Sequence, residues 1–292
     1  MTEQRTVLVT GATGRVGGQV AVQLAATGVQ VRGLTRDPAA AAAALDGRIE
    51  VCGGDLAEPS SLDAALKNVD AAFLVFPSVV ADGAADELVR TLTRQVRRVV
   101  YLSAHGVPDP PAQVAGPDGS IPGSHAYLES LISAAGGEYT FLRSSGFAAN
   151  TLGWAEQIRR SDVLRWFHPG ATRALVHEAD LAAVGVLALT EDGHDHRAYH
   201  LTGPEQLTQV EQLALIGVAL GRALRFEEID TAQAAAELFP GLPEDFVASI
   251  IDGQGTMVSR PETATDTIQR LLGRPALTFA QWTRDHAADF GG

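Results

Sequence analysis

The sequence predicts an α/β fold, a doubly wound parallel sheet with a smaller, mainly helical C-terminal portion, and three observations predict it. Short apolar runs alternate with helical patterns up to Asn150, a glycine-rich turn joins the first run to the first helix, and beyond Asn150 longer helical stretches take over. The 292 residues suffice, since a chain of this size buries roughly three-quarters of its extended surface. The expected division places the sheet domain in residues 1–150 and the second portion, interleaved with the first, in 151–292.

The expected strands are Thr6 to Thr10, Gln30 to Leu34, Ile49 to Cys52, Ala71 to Phe76, Arg98 to Ser103 and Tyr139 to Leu142. Each is short and largely apolar, as a strand buried on both faces requires. Helices are expected to begin near Gly14, Pro38, Pro59, Asp82 and Gly123. In the first, Val16, Val20 and Leu24 recur every four residues as a buried stripe. The six alanines Ala39 to Ala44 read as a plain surface helix. Asp109 to Pro122, rich in Pro, Gly and Asp and without periodicity, reads as a loop long enough to cover a site. In the second portion the helical patterns are Asp180 to Leu189, Thr208 to Leu220, Ala232 to Leu238 and Thr263 to Leu272. Arg173 to Val176 and Ala198 to Leu201 are brief strand-like runs.

Composition narrows the function. With 46% hydrophobic and 20% charged residues the chain is globular, and a net charge of -13 leaves no basic face for nucleic acid or anionic membrane. The longest apolar stretch, Ala71 to Ala81, is interrupted by Pro77 and falls short of the roughly 20 residues of a spanning helix. A single cysteine, Cys52, excludes an internal disulfide framework and fits a reducing compartment, so the cytoplasm is expected. Of 22 basic side chains only Lys67 is a lysine, and its context fits neither a Schiff base nor a phosphate-binding Gly-Lys-Ser loop. A small molecule is the expected partner; a monomer and a homodimer both fit.

The strongest signal is Thr10-Gly11-Ala12-Thr13-Gly14-Arg15-Val16-Gly17, which follows the first strand and opens the first helix. Its glycines permit a tight turn, close approach of backbone to a pyrophosphate, and helix packing on the strand. The helix N-terminus adds amide donors and partial positive charge. This context predicts a dinucleotide. At the end of the second strand an NAD-preferring site places an acid against the ribose 2′-hydroxyl; here Thr35 and Arg36 stand there. Arg36, with Arg15 in the turn, suits a 2′-phosphate, so NADP(H) is favoured over NAD(H) although Asp37 follows directly.

These motifs run on through Leu34-Thr35-Arg36-Asp37-Pro38, Gly54-Asp55-Leu56, Leu102-Ser103-Ala104, Glu129, Tyr139-Thr140-Phe141-Leu142-Arg143, and Phe147 with Asn150. Glu178-Ala179-Asp180-Leu181-Ala182, Leu201-Thr202-Gly203-Pro204-Glu205 and Phe279-Ala280-Gln281-Trp282 complete the set. In this combination, over nearly its whole length, the chain resembles the atypical short-chain dehydrogenases of the NmrA-like family. The resemblance implies an NADP-binding Rossmann domain and a C-terminal substrate portion, as in members that reduce quinones, iminium ions or other unsaturated acceptors. It also implies that Asp55 and Leu56 flank the adenine, that Phe76, Pro77 and Ser78 line the cofactor, and that Gly146 and Phe147 approach the nicotinamide. Ser144 departs from the family's frequent proline after the arginine.

Typical short-chain dehydrogenases use Tyr-x-x-x-Lys, in which the cation lowers the tyrosine pKa. No tyrosine here has that partner: the residues four beyond Tyr101, Tyr127, Tyr139 and Tyr199 are His105, Leu131, Arg143 and Gly203. Aligning Glu129 with extended relatives puts Ile121 at the tyrosine position and His125 at the lysine position. There His125 offers a donor to the nicotinamide ribose, or simply starts a helix in solvent. His105 and Ser103, at the C-terminal end of the fifth strand, are candidate proton donors because doubly wound folds bind ligands there. His194, His196 and His200 lack metal-ligand spacing, and no metal is expected. Trp154, Trp166 and Phe167 form either an aromatic substrate pocket or ordinary packing. The expected function is an NADPH-dependent oxidoreductase transferring hydride to a quinone, iminium ion or conjugated carbonyl. The alternative is a non-catalytic NADP(H) sensor that binds a protein partner.

Overall fold

The computed structural model describes residues 5–45, 47–76, 84–109, 116 and 120–292. The apolar runs of the first half are strands, and the glycines and prolines between them delimit helices. β1 (Thr6–Val9) is buried throughout and is followed by α1 (Arg15–Ala26), whose Val16, Val20 and Leu24 form the expected buried stripe. After β2 (Gln30–Thr35), α2 (Pro38–Ala44) starts with proline in its first turn and with the Asp37 carboxylate accepting from the Ala40 amide at 3.0 Å. Only Ala41 of its alanines is buried. β3 (Ile49–Gly53) leads through a 3₁₀ turn, Pro59–Leu62, into α3 (Asp63–Leu66), then β4 (Ala71–Leu74). α4 (Ala84–Gln95) buries Leu88, Val89 and Leu92, and precedes β5 (Arg98–Ala104). α5 (Ile121–Ala134) is capped by Ser120, which accepts from Gly123, and β6 (Glu138–Ser144) follows.

The chain continues through a 3₁₀ segment, Ala148–Trp154, α6 (Ala155–Arg160), β7 (Val163–Trp166), β8 (Thr172–Arg173), α7 (Glu178–Thr190) and β9 (Arg197–Leu201). Then come β10 (Leu207–Thr208), α8 (Gln209–Leu220), β11 (Arg225–Glu228), α9 (Thr231–Leu238), α10 (Glu244–Ser259), α11 (Thr267–Leu272) and α12 (Phe279–Asp285). Two compact units result. The first holds Met1–Ser144 with Glu178–His200, the second Ser145–His177 with Leu201–Gly292.

In the first unit the sheet order is β3-β2-β1-β4-β5-β6-β9, and β1 to β6 pair in parallel. The order reverses between β1 and β4, the place where doubly wound sheets open a crevice beyond their strand ends. α7 joins this unit although it lies far downstream in sequence. It is apolar on nearly every side, packs on α1, and brings Gly185 so near Phe73 that a Cβ would meet the ring at 2.8 Å.

The second unit is mainly helical, with two small two-stranded sheets, β10-β8 and β11-β7. One core gathers Trp154, Ile158, Leu164, Leu213, Ile216, Phe279, Trp282 and Phe290. Another gathers Phe167, Ile229, Ala234, Val247 and Ile251. Capping boxes, Thr208 with Glu211 and Thr278 with Gln281, begin α8 and α12. α10 escaped the sequence reading because Gly253 and Gly255 weaken its helical signal and only Val247 and Ile251 are buried. No helix among the described residues is long and apolar enough to cross a membrane.

Candidate cofactor and acceptor sites

The turn after β1 has the tight geometry its glycines predict. Gly11 has φ +62°, which disfavours any side chain, and its carbonyl accepts from Gly14 at 2.8 Å. A Cβ on Gly17 would stand 2.3 Å from the Gly11 oxygen and 2.8 Å from that of Thr10, so only glycine lets α1 start this close to the turn. Thr10 ties the turn to the end of β4: its hydroxyl donates to Val75 O at 3.0 Å and accepts from Val75 N at 2.7 Å. No side chain caps Gly14 and no acid occupies the first turn of α1, so its amides and positive dipole end are left for an anion. Thr13, Gly14 and Arg15 are exposed, whereas Val16 and Gly17 are buried.

At the end of β2 the roles of three neighbours separate. Thr35 Oγ1 accepts from the Asp37 amide at 3.1 Å, and the Asp37 carboxylate caps α2. Arg36 is exposed, and neither it nor Arg15 forms an ion pair among the described residues. Beyond β3, Asp55 closes a turn of its own, its carboxylate accepting from Ala57 at 2.9 Å and its amide donating to Ser61 Oγ at 2.9 Å. Leu56 packs against the sheet core, and the Phe76 side chain lies within that core. Pro77 and Ser78 lie outside the described residues, as does most of the expected loop between Asp109 and Pro122.

At the end of β5 two polar networks meet the residues proposed for proton transfer. His125 Nδ1 is 2.5 Å from the Tyr101 hydroxyl. Burial holds the imidazole down to about 4, and burial followed by the Glu129 charge holds the tyrosine well above its ordinary value. His125 is therefore neutral near pH 7. With Tyr101 donating, its Nε2 carries the proton. Ser103 is buried and donates to Glu129 Oε1 at 2.6 Å. Glu129 also receives Arg143 Nε on Oε1 at 3.0 Å and Nη2 on Oε2 at 2.7 Å, a forked pair with both side chains fully buried. Arg143 Nη2 further donates to Pro108 O at 3.2 Å. In this arrangement the Ser103 hydrogen goes to a carboxylate, and His105, exposed and 6.1 Å from the His200 ring, is the more accessible donor. The Ser103–Glu129–Arg143 cluster was not foreseen. Its signal was present: Glu129 interrupts the apolar face Ala126, Leu128 and Ile132, and Arg143 ends an apolar strand.

In the second unit Gly146 and Phe147 follow β6 directly. Phe147 bridges to Val176, and Gly146 O accepts from the Val176 amide at 2.9 Å. A Cβ on Gly146 would meet the Arg173 guanidinium carbon at 2.4 Å, so the guanidinium lies on this glycine. Arg173, Trp154, Trp166, Asn150, Gln209 and Gln212 are among the residues lining an open cavity. Trp154 and Trp166 meet edge to face at 6.1 Å, while Phe167 is buried in a core and does not line it. In the sequence Arg173 shows only as the start of a strand-like run.

A family described as NAD(P)H-binding matches residues 11–192. Among curated proteins, the (4-alkanoyl-5-oxo-2,5-dihydrofuran-3-yl)methyl phosphate reductase of Streptomyces griseus is 38% identical, covering 97% of this chain and 99% of its own. The NAD(P)H azoreductase of Xenophilus azovorans is 32% identical, covering 98% of this chain and 99% of its own. Among solved structures, an NADPH-dependent quinone oxidoreductase from Escherichia coli in complex with NADPH shares the fold. Its TM-score is 0.77 at 23% identity, over 96% of this chain and 99% of that one.

Proposed function

Because the chain belongs to the NAD(P)H-binding family and its relatives over nearly the full length are reductases, we propose that it is a reductase of the NmrA-like kind, preferring NADPH and acting on an electrophilic small molecule. The acceptor class is a quinone, an iminium ion or a conjugated carbonyl. The observation that carries the cofactor preference is the use made of Asp37. Its carboxylate is occupied in capping α2, and Arg36 beside it is exposed and without an ion pair among the described residues.

Gly11, Thr13, Gly14, Val16 and Gly17 would hold the pyrophosphate, with the uncapped amides of α1 as donors. Arg36 and Arg15 would pair with the 2′-phosphate through forked, charge-assisted hydrogen bonds. Asp55 and Leu56 are assigned to the adenine. His125, neutral and held by Tyr101, presents Nε2–H as a donor to the nicotinamide ribose. Bound there, NADPH supplies hydride, and the chain's task is orientation. Acceptors whose electrons settle on oxygen or nitrogen before protonation suit a site without Tyr-x-x-x-Lys; His105 or water then supplies the proton. The dihydrofuranone and azo compounds for which two relatives are named belong to such a class.

Fluorescence titration with NADPH, NADP+, NADH and NAD+, joined to an acceptor panel followed by NADPH oxidation, tests this. NADPH binding tighter than NADH, and oxidation with at least one acceptor class, are expected. Equal binding of NADPH and NADH overturns the preference, and cofactor binding without turnover across the panel overturns the proposed acceptor class.

A further inference from the structure

The lining of the second unit's cavity holds buried donors that make no hydrogen bond among the described residues. Arg173 has only 22% of its side chain exposed, yet it makes no hydrogen bond among the described residues; its nearest acid, Glu262, stands 3.6 Å from Nε. The Nε atom is itself buried and without a hydrogen-bond partner, and so is the indole Nε1 of Trp166. Both residues line the same cavity. A guanidinium offers five donors in one plane, and leaving buried donors unmet is costly; Arg32 Nε and Arg143 Nη1 are also unmet, but Arg173 and Trp166 differ in lining one cavity together, where an acceptor can reach them. The backbone leaves room for Arg173 there. Any Cβ on Gly146 would strike the guanidinium at 2.4 to 2.7 Å. Glu262 cannot swing freely toward it, being 2% exposed with Oε2 accepting from the Ala174 amide at 3.1 Å.

The rest of the lining indicates what the acceptor carries. Trp154 and Trp166 provide aromatic faces and edges suited to a flat unsaturated body. Gln209 Nε2 is already spent on Phe167 O, His168 O and Gln254 Oε1, and Gln212 Nε2 on Leu207 O. The arginine and the Trp166 indole are thus the strongest donors left for a ligand. We propose that this cavity is an acceptor-recognition site for flat unsaturated molecules bearing an oxyanion, with Arg173 as the residue that reads the charge and Gly146 as the floor that leaves room for it. The assignment deepens the reductase reading and rests on it for the identity of the ligand as substrate.

The test is binding of benzoate and of its uncharged isostere benzamide to the full chain, followed by tryptophan fluorescence, with wild type, Arg173→Gln and Arg173→Lys. Wild type should bind benzoate about tenfold more tightly than benzamide, and Arg173→Gln should bind the two alike. Arg173→Lys, which keeps the charge but not the fork, should retain part of the difference. Equal affinities in wild type, binding of neither, or a preference that survives in Arg173→Gln would each overturn the proposal; the first two need no variant to fold. NADPH oxidation with an uncharged naphthoquinone separates the two readings. Turnover without benzoate preference removes only the Arg173 assignment, whereas benzoate preference without turnover of any acceptor leaves an anion site and removes the reductase reading.

Discussion

Arg143 and Arg173 are both largely withdrawn from water, but they are treated in opposite ways. In the first unit Arg143, fully buried, forks onto an equally buried Glu129, reaches Pro108 O, and shares its carboxylate with Ser103. In the second unit Arg173 lies over Gly146 beside a cavity with no hydrogen bond among the described residues. Burial alone therefore does not tell a structural charge from a recognition charge. What distinguishes them is how far the fold supplies hydrogen-bond partners: Arg143 leaves only Nη1 without one, whereas Arg173 has an ion pair with Glu262 and no hydrogen bond among the described residues.

The largest effect expected from this contrast comes from removing one half of the satisfied pair. Glu129→Ala leaves Arg143 buried and uncompensated and should cost roughly 3 to 5 kcal/mol in urea unfolding. A loss below about 1 kcal/mol would show that the pair does not hold β6 and α5 together.

A second test uses a buried group that is kept neutral instead of paired. The His125 pKa falls from 6.5 to about 4 on folding, so between these values the unfolded chain binds a proton that the folded chain does not. Stability is then present above the unfolded value and is lost as pH falls from about 6.5 toward about 4, by roughly 2 to 3 kcal/mol from this group. Thermal unfolding of wild type and His125→Gln across that range should diverge in slope; parallel slopes would place the imidazole in solvent.

A smaller effect belongs to the exposed arginine at the end of β2. Arg36→Ala should lower the NADPH-over-NADH preference by about tenfold to a hundredfold while leaving unfolding midpoints unchanged, since Arg36 is exposed and forms no ion pair among the described residues. An unchanged preference would move 2′-phosphate recognition to Arg15. The last test sharpens the opening contrast: Arg173→Gln takes the cation from the buried Glu262, which keeps the Ala174 amide, so urea unfolding should cost roughly 1 to 2 kcal/mol, short of the loss from Glu129→Ala. A loss comparable to that of Glu129→Ala would make Arg173 structural.

The parallel strands and the glycine turn after β1 were legible in the sequence, because both rest on local chemistry. Apolar runs of strand length, Gly11 where φ must be positive, Gly17 where a Cβ would strike backbone, and Arg36 in place of an acid are each fixed within a few residues. The brief second sheets and α10 were less legible, since a two-residue strand such as β8 exists only through its partner β10, and glycines dilute the periodicity of α10. Only the tertiary structure decided that α7 returns to the first unit and that Asp37 is spent as a helix cap. It also decided that Ser103 gives its hydrogen to Glu129, and that Arg173 comes to rest on Gly146. Whether a polar group finds its partner depends on residues far away in the chain, 26 positions for Ser103 and Glu129, and no local pattern encodes that distance. Satisfaction of a buried charge is a property of the packed molecule, set by which distant residues the fold brings within hydrogen-bond reach.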